Sequence, residues 1–417
     1  MAPGGDNWEL SAVAQNLSAS LRASLRRQEQ LLRSSLVLNP VENFPFAEDI
    51  APAASAMHGV YNSDKTRNRA QRLETPIQFA GRQTVEKDVR DIYTAWARAL
   101  GAADATLRPL SGLHAHIVLF MAMARSGQTV LLLPTRAGGH MSGQAIIERL
   151  GLKVVEMTVD EAGMCIDIEA TLARCAEQPP DFVFVDRSEG LVFEDFSQLA
   201  GIARSSSIFD ASQYLSNVIS GEHPNPFDWG FDLMVASVHK NFPGPQKALL
   251  ATRHEDETWR QLTGGVSTFV SNMHATSIYA AGLTLTRSDW LSEYSKRMLV
   301  IAPALEAELA NRGVPVVRRR EDLPPTHHVW ICERDRERAF VTYERLEECL
   351  ILTNFRELPY SLGFGVRLGV SAAVRLGMDE NDVPRLAELI AEVRQRGATA
   401  ALKREAHSFS RAIWSRS

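Results

Sequence analysis

The stretch Met234-Val-Ala-Ser-Val-His-Lys-Asn-Phe-Pro-Gly-Pro-Gln-Lys247 decides how this chain is read. It opens as a short apolar run without alternation, the pattern of a strand covered on both faces, and closes in a Pro/Gly turn. Lys240 stands where strand gives way to turn, so the backbone holds its amine at a strand end, a good place for a nucleophile. An ordinary loop lysine is the other reading. Upstream, Ser207-Ile-Phe-Asp210 is a second apolar run, and it ends in a carboxylate.

With these two, the short apolar runs lie at 129–133, 153–157, 182–186, 207–210, 233–236 and 248–252. Helical patterns at 86–100 (closed by Gly101), 114–125 and 143–150 fall between them. Strands alternating with helices predict a parallel α/β sheet, whose ligands bind beyond the carboxyl ends of the strands. The polar candidates fall there. Before the sheet, 17–36 reads as a helical arm, ended by the prolines of Leu38-Asn-Pro-Val-Glu-Asn-Phe-Pro-Phe46. After it, a long helix at 289–312 opens a smaller α+β region ending in a helix at 383–396. The expected division is an arm at 1–45, a large domain at 46–288 and a small C-terminal domain at 289–417.

The chain has 417 residues, 45% hydrophobic and 23% charged, too long for one compact core. Its net charge is -5 with the two signs interspersed, which argues against nucleic acid as a partner. The run Arg318-Arg-Arg320 is interrupted at once by Glu321 and Asp322. Four cysteines without a close CxxC pair exclude a disulfide framework and a zinc site, and no metal is expected. The N-terminus lacks an export pattern, and the apolar stretch at 117–124 is too short to span a bilayer. A cytoplasmic protein with no membrane partner is expected.

Three more positions carry candidate chemistry. His140 closes Arg136-Ala-Gly-Gly-His140, whose glycines let backbone approach a ligand; its imidazole could lie against a ring or could be a plain loop histidine. Ser111-Gly112 opens a helix, whose free amides can hold a phosphate, or it is only a good helix start. Arg367, in Gly365-Val-Arg-Leu-Gly369, could grip a carboxylate in bidentate fashion or lie on the surface.

Taken in order, these pieces resemble fold type I pyridoxal-phosphate enzymes of the serine hydroxymethyltransferase-like branch, with motifs similar to those of threonine transaldolases. The pieces are Val-Glu-Asn-Phe at 41–44, Gly-Gly-His at 138–140, Asp-Ala at 210–211 and His-Lys at 239–240. Pro-Gly-Pro-Gln-Lys at 243–247, Ser-Asn-Met-His at 271–274 and Gly-Val-Arg-Leu-Gly at 365–369 complete them. The likeness spans about residues 35 to 395. It implies an aminotransferase-like α/β fold: a large domain with a mostly parallel seven-stranded sheet between helices, and a smaller α+β domain. It implies pyridoxal 5'-phosphate as cofactor, with Lys240 as its Schiff-base lysine, Asp210 on the pyridine nitrogen and His140 stacked on the ring. Ser111, Gly112, Leu113, Ser188, Gln213 and Ser237 are the remaining cofactor contacts. His239 would sit beside the lysine, and Arg367 would hold the carboxylate of an amino-acid substrate. Tyr61 would act across a homodimer with shared active sites, as a catalytic and substrate-binding residue.

The sequence also departs from the hydroxymethyltransferase pattern. The segment that serves folate and proton transfer reads Tyr61-Asn-Ser-Asp-Lys65, with the glutamate position at Ser63 or Asp64. Ile77-Gln-Phe-Ala-Gly81 replaces a tyrosine pair. Gln213 stands for a histidine, Val238 for a threonine, and Ser111-Gly-Leu-His114 lacks a second serine. The expected activity is therefore aldol or transaldol cleavage and formation of a Cα–Cβ bond through a quinonoid, in natural-product metabolism. The alternatives are β-elimination of a group such as sulfur, decarboxylation or deamination of a modified amino acid, and folate-type hydroxymethyl transfer. A non-catalytic binding subunit is disfavoured by the presence of both Lys240 and Asp210.

Overall fold

The computed structural model describes residues 6–65, 67–75 and 77–416, with side chains from residue 14 onward. The first five residues, part of the segment examined for an export pattern, lie outside them. The large unit is built on seven strands: β1 (Asp104–Thr106), β2 (Thr129–Leu132), β3 (Lys153–Glu156), β4 (Phe182–Val185), β5 (Ser206–Asp210), β6 (Leu233–Ser237) and β7 (Ala248–Thr252). Their order in the sheet is β1-β7-β6-β5-β4-β2-β3. Strand β7 runs antiparallel to both neighbours and the other pairs are parallel. Every residue of β4, β5, β6 and β7 is buried, as unalternating apolar runs require.

Alternate residues of each strand enter two separate cores. Val130, Phe184, Ile208 and Val235 pack with Val118 and Phe120 of one helix and with Trp259 and Leu262 of another. These helices are α2 (Gly112–Met123) and α3 (Glu257–Phe269) if α1 is Gln83–Leu100. On the opposite face Leu131, Val183, Phe209 and Ala236 pack with Tyr93 and Trp96 of α1. Helix α1 ends as its sequence dictates, on Gly101 in the left-handed region at φ 62. Because β4, β5 and β6 are adjacent and parallel, their carboxyl ends bring Asp186, Asp210 and the segment leading to Lys240 to one edge of the sheet.

Helix α4 (Ala275–Leu285) and the long α5 (Ser288–Asn311) lead into the C-terminal unit. There, strands β8 (His328–Arg334), β9 (Asn354–Leu358) and β10 (Gly363–Gly369) form an antiparallel sheet in the order β8-β10-β9. The N-terminal helix, Asp6–Arg33, starts earlier than its apolar spacing suggests. The segment after it is fastened to the C-terminal unit: Leu36 and Val37 pair in parallel with Ile351 and Leu352, and Gly369 donates its amide to Leu38. A last helix, Ala400–Trp414, was not expected from the sequence, and its Trp414 indole donates to Ser35 O at 3.1 Å. No helix among the described residues is long and apolar enough to cross a membrane.

Candidate active site

Lys240 follows β6 in a loop fixed from three directions. Asn43 donates to Lys240 O at 2.6 Å and to the Tyr294 hydroxyl at 2.9 Å. Tyr294, from α5, donates in turn to Asn241 O at 2.9 Å. The Asn241 side chain accepts from Ser216 N–H and donates to Asn217. Gly244 N–H bonds back to Val238 O at 2.8 Å, closing the turn. The lysine's backbone is therefore locked by the arm, the large unit and α5 together.

Beside it lies a buried row of three titratable groups. Asp210 Oδ1 accepts from Ser212 N–H at 2.6 Å, and Oδ2 lies 2.6 Å from His116 Nε2. His116 comes from α2, where its ring packs edge-on against Phe184. Its Nδ1 is 3.9 Å from Asp186 Oδ2, and neither atom has a hydrogen bond among the described residues. Burial opposes ionised Asp210, but the bond to His116 and its charge outweigh burial and hold the carboxyl below its usual range. Burial likewise opposes the His116 cation, and the two carboxylates outweigh it, so His116 stays protonated above the ordinary imidazole range. Asp186, with burial dominant, is pushed up. Together the three could also ligate a cation; His116 spends its Nε2 on Asp210 instead.

The helix start supplies an anion cradle. Ser111 caps α2 by accepting from His114 N–H, while the amides of Gly112 and Leu113, first in the helix, have no intrahelical acceptor. A Cβ on Gly112 would stand 2.3 Å from Ser237 Oγ, so a larger residue there would turn the Ser237 hydroxyl away. Ser237 N–H donates to Ser212 Oγ at 2.7 Å, which adds a hydroxyl the sequence reading did not include. Gln213 is buried, and both polar atoms of its amide lack a partner among the described residues.

The two histidines hold their protons on opposite nitrogens. Ser142 N–H donates to His140 Nδ1, so a neutral His140 carries its proton on Nε2. His239 Nδ1 donates to Lys247 O at 3.2 Å, which leaves its Nε2 free to accept. Burial, then nearby positive charge, lowers each to about 4, and both are neutral at pH 7. The glycines before His140 leave room for neighbouring backbone. A Cβ on Gly138 would meet Glu189 O, and one on Gly139 would meet Leu133 O, each at 2.1 Å. They let the His140 loop lie against the loop after β4, where Ser188 N–H and Glu189 N–H donate to Gly138 O.

Arg367 is 4% exposed and 3.5 Å from Glu189, which also pairs with Arg356. Ser188 is half-buried, and among the described residues its hydroxyl has no hydrogen-bond partner. Tyr61 is not brought to this cluster: its ring is exposed and stacks on Phe79 at 4.6 Å. Asp64 is committed elsewhere, 2.7 Å from Arg108 Nη1 in a part-buried ion pair. Arg108 also donates to Val270 O and Ser271 O, and Lys247 donates to Arg108 O and Met273 O.

The residues fit pyridoxal phosphate. Lys240, an ionised buried aspartate, a neutral loop imidazole, free helix amides and the partnerless Gln213 amide supply the groups such a cofactor needs. His116, Asp186, Ser212, Glu189 and Arg356 were not singled out from sequence, and Asn43 was noted only within the motif at 41–44. Asp186 had a local signal, as the polar end of an apolar run.

The serine hydroxymethyltransferase family model matches residues 87–390. Serine hydroxymethyltransferase of Pyrobaculum arsenaticum is 29% identical over 400 residues, 93% of this chain and 90% of that protein. Fluorothreonine transaldolase of Streptantibioticus cattleyicolor is 30% identical over 314 residues, 74% of this chain and 48% of that protein. Among solved structures, L-threonine transaldolase from Pseudomonas fluorescens aligns with a TM-score of 0.87 at 22% identity, covering 97% of this chain and 93% of that one. That likeness shows the fold, the expected α/β architecture of fold type I.

Proposed function

Because the chain belongs to the serine hydroxymethyltransferase family, and is thus a pyridoxal-phosphate-dependent transferase acting on an amino acid, we propose that its reaction is of the transaldol type. A β-hydroxy amino acid would release an aldehyde by breaking Cα–Cβ, and its glycine portion would be joined to a second aldehyde. The observation that carries this reading is the Asp64–Arg108 ion pair. Where hydroxymethyltransferases place a carboxylate for folate and proton transfer, this chain offers Ser63, which has no carboxylate, or Asp64, whose carboxylate is tied to Arg108. The likeness to fluorothreonine transaldolase supports the same reading.

When bound, the cofactor supplies an electron sink for the bond broken at Cα. The chain's residues do the rest. Lys240 would hold the cofactor, and Asp210, kept ionised by His116, would keep the pyridine nitrogen protonated. Gly112 and Leu113 N–H, Ser111 and Ser237 would hold the phosphate, Gln213 and Ser188 would bond the ring substituents, and His140 would cover the ring. Arg367 would grip the substrate carboxylate. His239, with its proton on Nδ1, offers Nε2 to accept and return a proton at Lys240 Nζ. Tyr61, exposed in one copy, would complete the site of a second copy in a homodimer. We place the enzyme in the cytoplasm, in specialised metabolism.

The test mixes cofactor-loaded protein separately with L-threonine, L-serine and glycine, recording the visible spectrum and released acetaldehyde. A long-lived long-wavelength band with threonine, plus acetaldehyde, supports the proposal. No spectral response to any of the three sinks it. The full-length likeness to the Pyrobaculum enzyme favours folate-type hydroxymethyl transfer as the second reading; reduced folate that binds and accelerates serine turnover would select it.

A further inference from the structure

Arg356 and Arg367 lie on adjacent antiparallel strands, with Arg367 opposite Asn354 and Arg356 opposite Gly365. This register puts the two guanidiniums on one face as diagonal neighbours. Glu189 reaches them from the large unit. Its Oε1 pairs with Arg356 and lies 3.5 Å from Arg367 Nη1, while Glu189 Oε2 and Arg367 Nε have no hydrogen-bond partner among the described residues. Glu189 and Arg367 are buried, and the Arg356 side chain is 26% exposed, at the open side of the cluster. Arg356 is also near enough to His140 for its charge to bear on that imidazole.

Two cations and one carboxylate leave a buried cluster with one uncompensated positive charge, an unfavourable state. One arriving carboxylate balances it, and a second would leave it negative. From this we infer that Arg356 is a second guanidinium for the substrate's α-carboxylate, and that Glu189 is a built-in counter-ion restricting the site to amino acids without a negative side chain. This rests on the reading above in which Arg367 meets that carboxylate. Without Glu189 the paired guanidiniums would welcome a dicarboxylate, and without Arg356 the α-carboxylate would lose half of its grip.

The experiment titrates cofactor-loaded protein with glycine, glycinamide and L-aspartate, reading the change in cofactor absorbance. Glycine has no Cβ, so its binding is independent of which bond the enzyme breaks. Arg356→Gln is expected to weaken glycine about 10-fold or more while leaving glycinamide, which lacks the carboxylate, within about 2-fold. Arg356→Lys is expected to recover part of the loss. Glu189→Gln is expected to improve L-aspartate relative to glycine by about 10-fold. Equal effects of Arg356→Gln on glycine and glycinamide, or an unchanged aspartate-to-glycine ratio in Glu189→Gln, would overturn the inference and leave the proposed reaction standing. Should Glu189→Gln fail to fold, the glycine–glycinamide comparison alone decides. If wild-type protein responds to no amino acid, the underlying reading falls, and this inference with it.

Discussion

Replacing Arg108 with methionine removes three contacts at once: the Asp64 ion pair at 2.7 Å and the bonds to Val270 O at 2.8 Å and Ser271 O at 3.3 Å. Arg108 is buried and Asp64 nearly so, their side chains 7% and 12% exposed. Losing one partner of such a pair strands a charge, and the expected destabilisation is about 3–5 kcal/mol. Asp64→Asn keeps a neutral acceptor for the guanidinium and should lose only about 1–2 kcal/mol. Once Arg108 is gone, removing the Asp64 charge relieves the stranded carboxylate, so the double variant should fall short of the summed losses by about 2 kcal/mol. Urea unfolding at fixed protein and cofactor concentrations measures all four species. Additivity within about 0.5 kcal/mol would show that the pair is not the tie we describe. The same Asp64→Asn protein bears on function. Threonine turnover should stay within about 3-fold of wild type, whereas removal of a general acid–base group lowers kcat about 10²–10⁴-fold. A loss of that size would refute the transaldol reasoning at its base.

Lys240→Ala is expected to purify colourless and inactive, with the fold kept by circular dichroism; retained visible absorbance would remove Lys240 from its role. His116→Leu strips Asp210 Oδ2 of its 2.6 Å donor, and cofactor retention on dilution should fall about 10-fold; wild-type retention would mean His116 does not support Asp210. His140 and His239 titrate near 4 when folded, below the unfolded value of about 6.5. The unfolded state therefore binds protons first, and stability present above pH 6.5 is lost as pH falls toward 4. His239→Gln should flatten melting temperature over that window, and an unchanged slope would contradict the assignment. If Tyr61 serves a second copy, mixing inactive Tyr61→Ala with inactive Lys240→Ala should restore part of the activity through mixed dimers. No recovery after verified subunit exchange would place Tyr61 outside the site.

The parts of this fold legible from sequence are those whose signal is local. Strands β4, β5 and β6 are buried on both faces, and their continuous apolar runs say so within a few residues. Strand β1 was missed because Asp104–Thr106 has three residues and no apolar run, its assignment resting on pairing with β7. The last helix was missed because its buried side is a thin stripe of Leu402, Ala406, Ser410 and Ile413. Within the site, Lys240, Asp210 and His140 stand at strand ends or in loops and attract notice. His116 sits inside the apolar run of α2, where a histidine reads as core. Its meaning comes from Asp210, 94 positions away. Glu189 and Arg356 are common residue types whose significance lies wholly in a contact between two units. Asn43 was seen as part of a motif, but its work on Lys240 O, 197 positions distant, appears only in three dimensions.

The fastening of the arm to the far end of the chain also shapes how the protein is made. Ser35 and its partner Trp414 are 379 positions apart. A ribosome adding about 5–20 residues per second needs roughly 20–75 s to travel between them. Through that interval the N-terminal helix, with Leu17, Leu21 and Leu25 exposed even in the folded chain, has neither Ile351–Leu352 nor the last helix to settle on. This early-made segment is therefore slow to find its place. Loss of even a few C-terminal residues should act less like trimming an edge than like leaving the beginning of the chain unmoored, and the nascent protein open to aggregation or to chaperone capture.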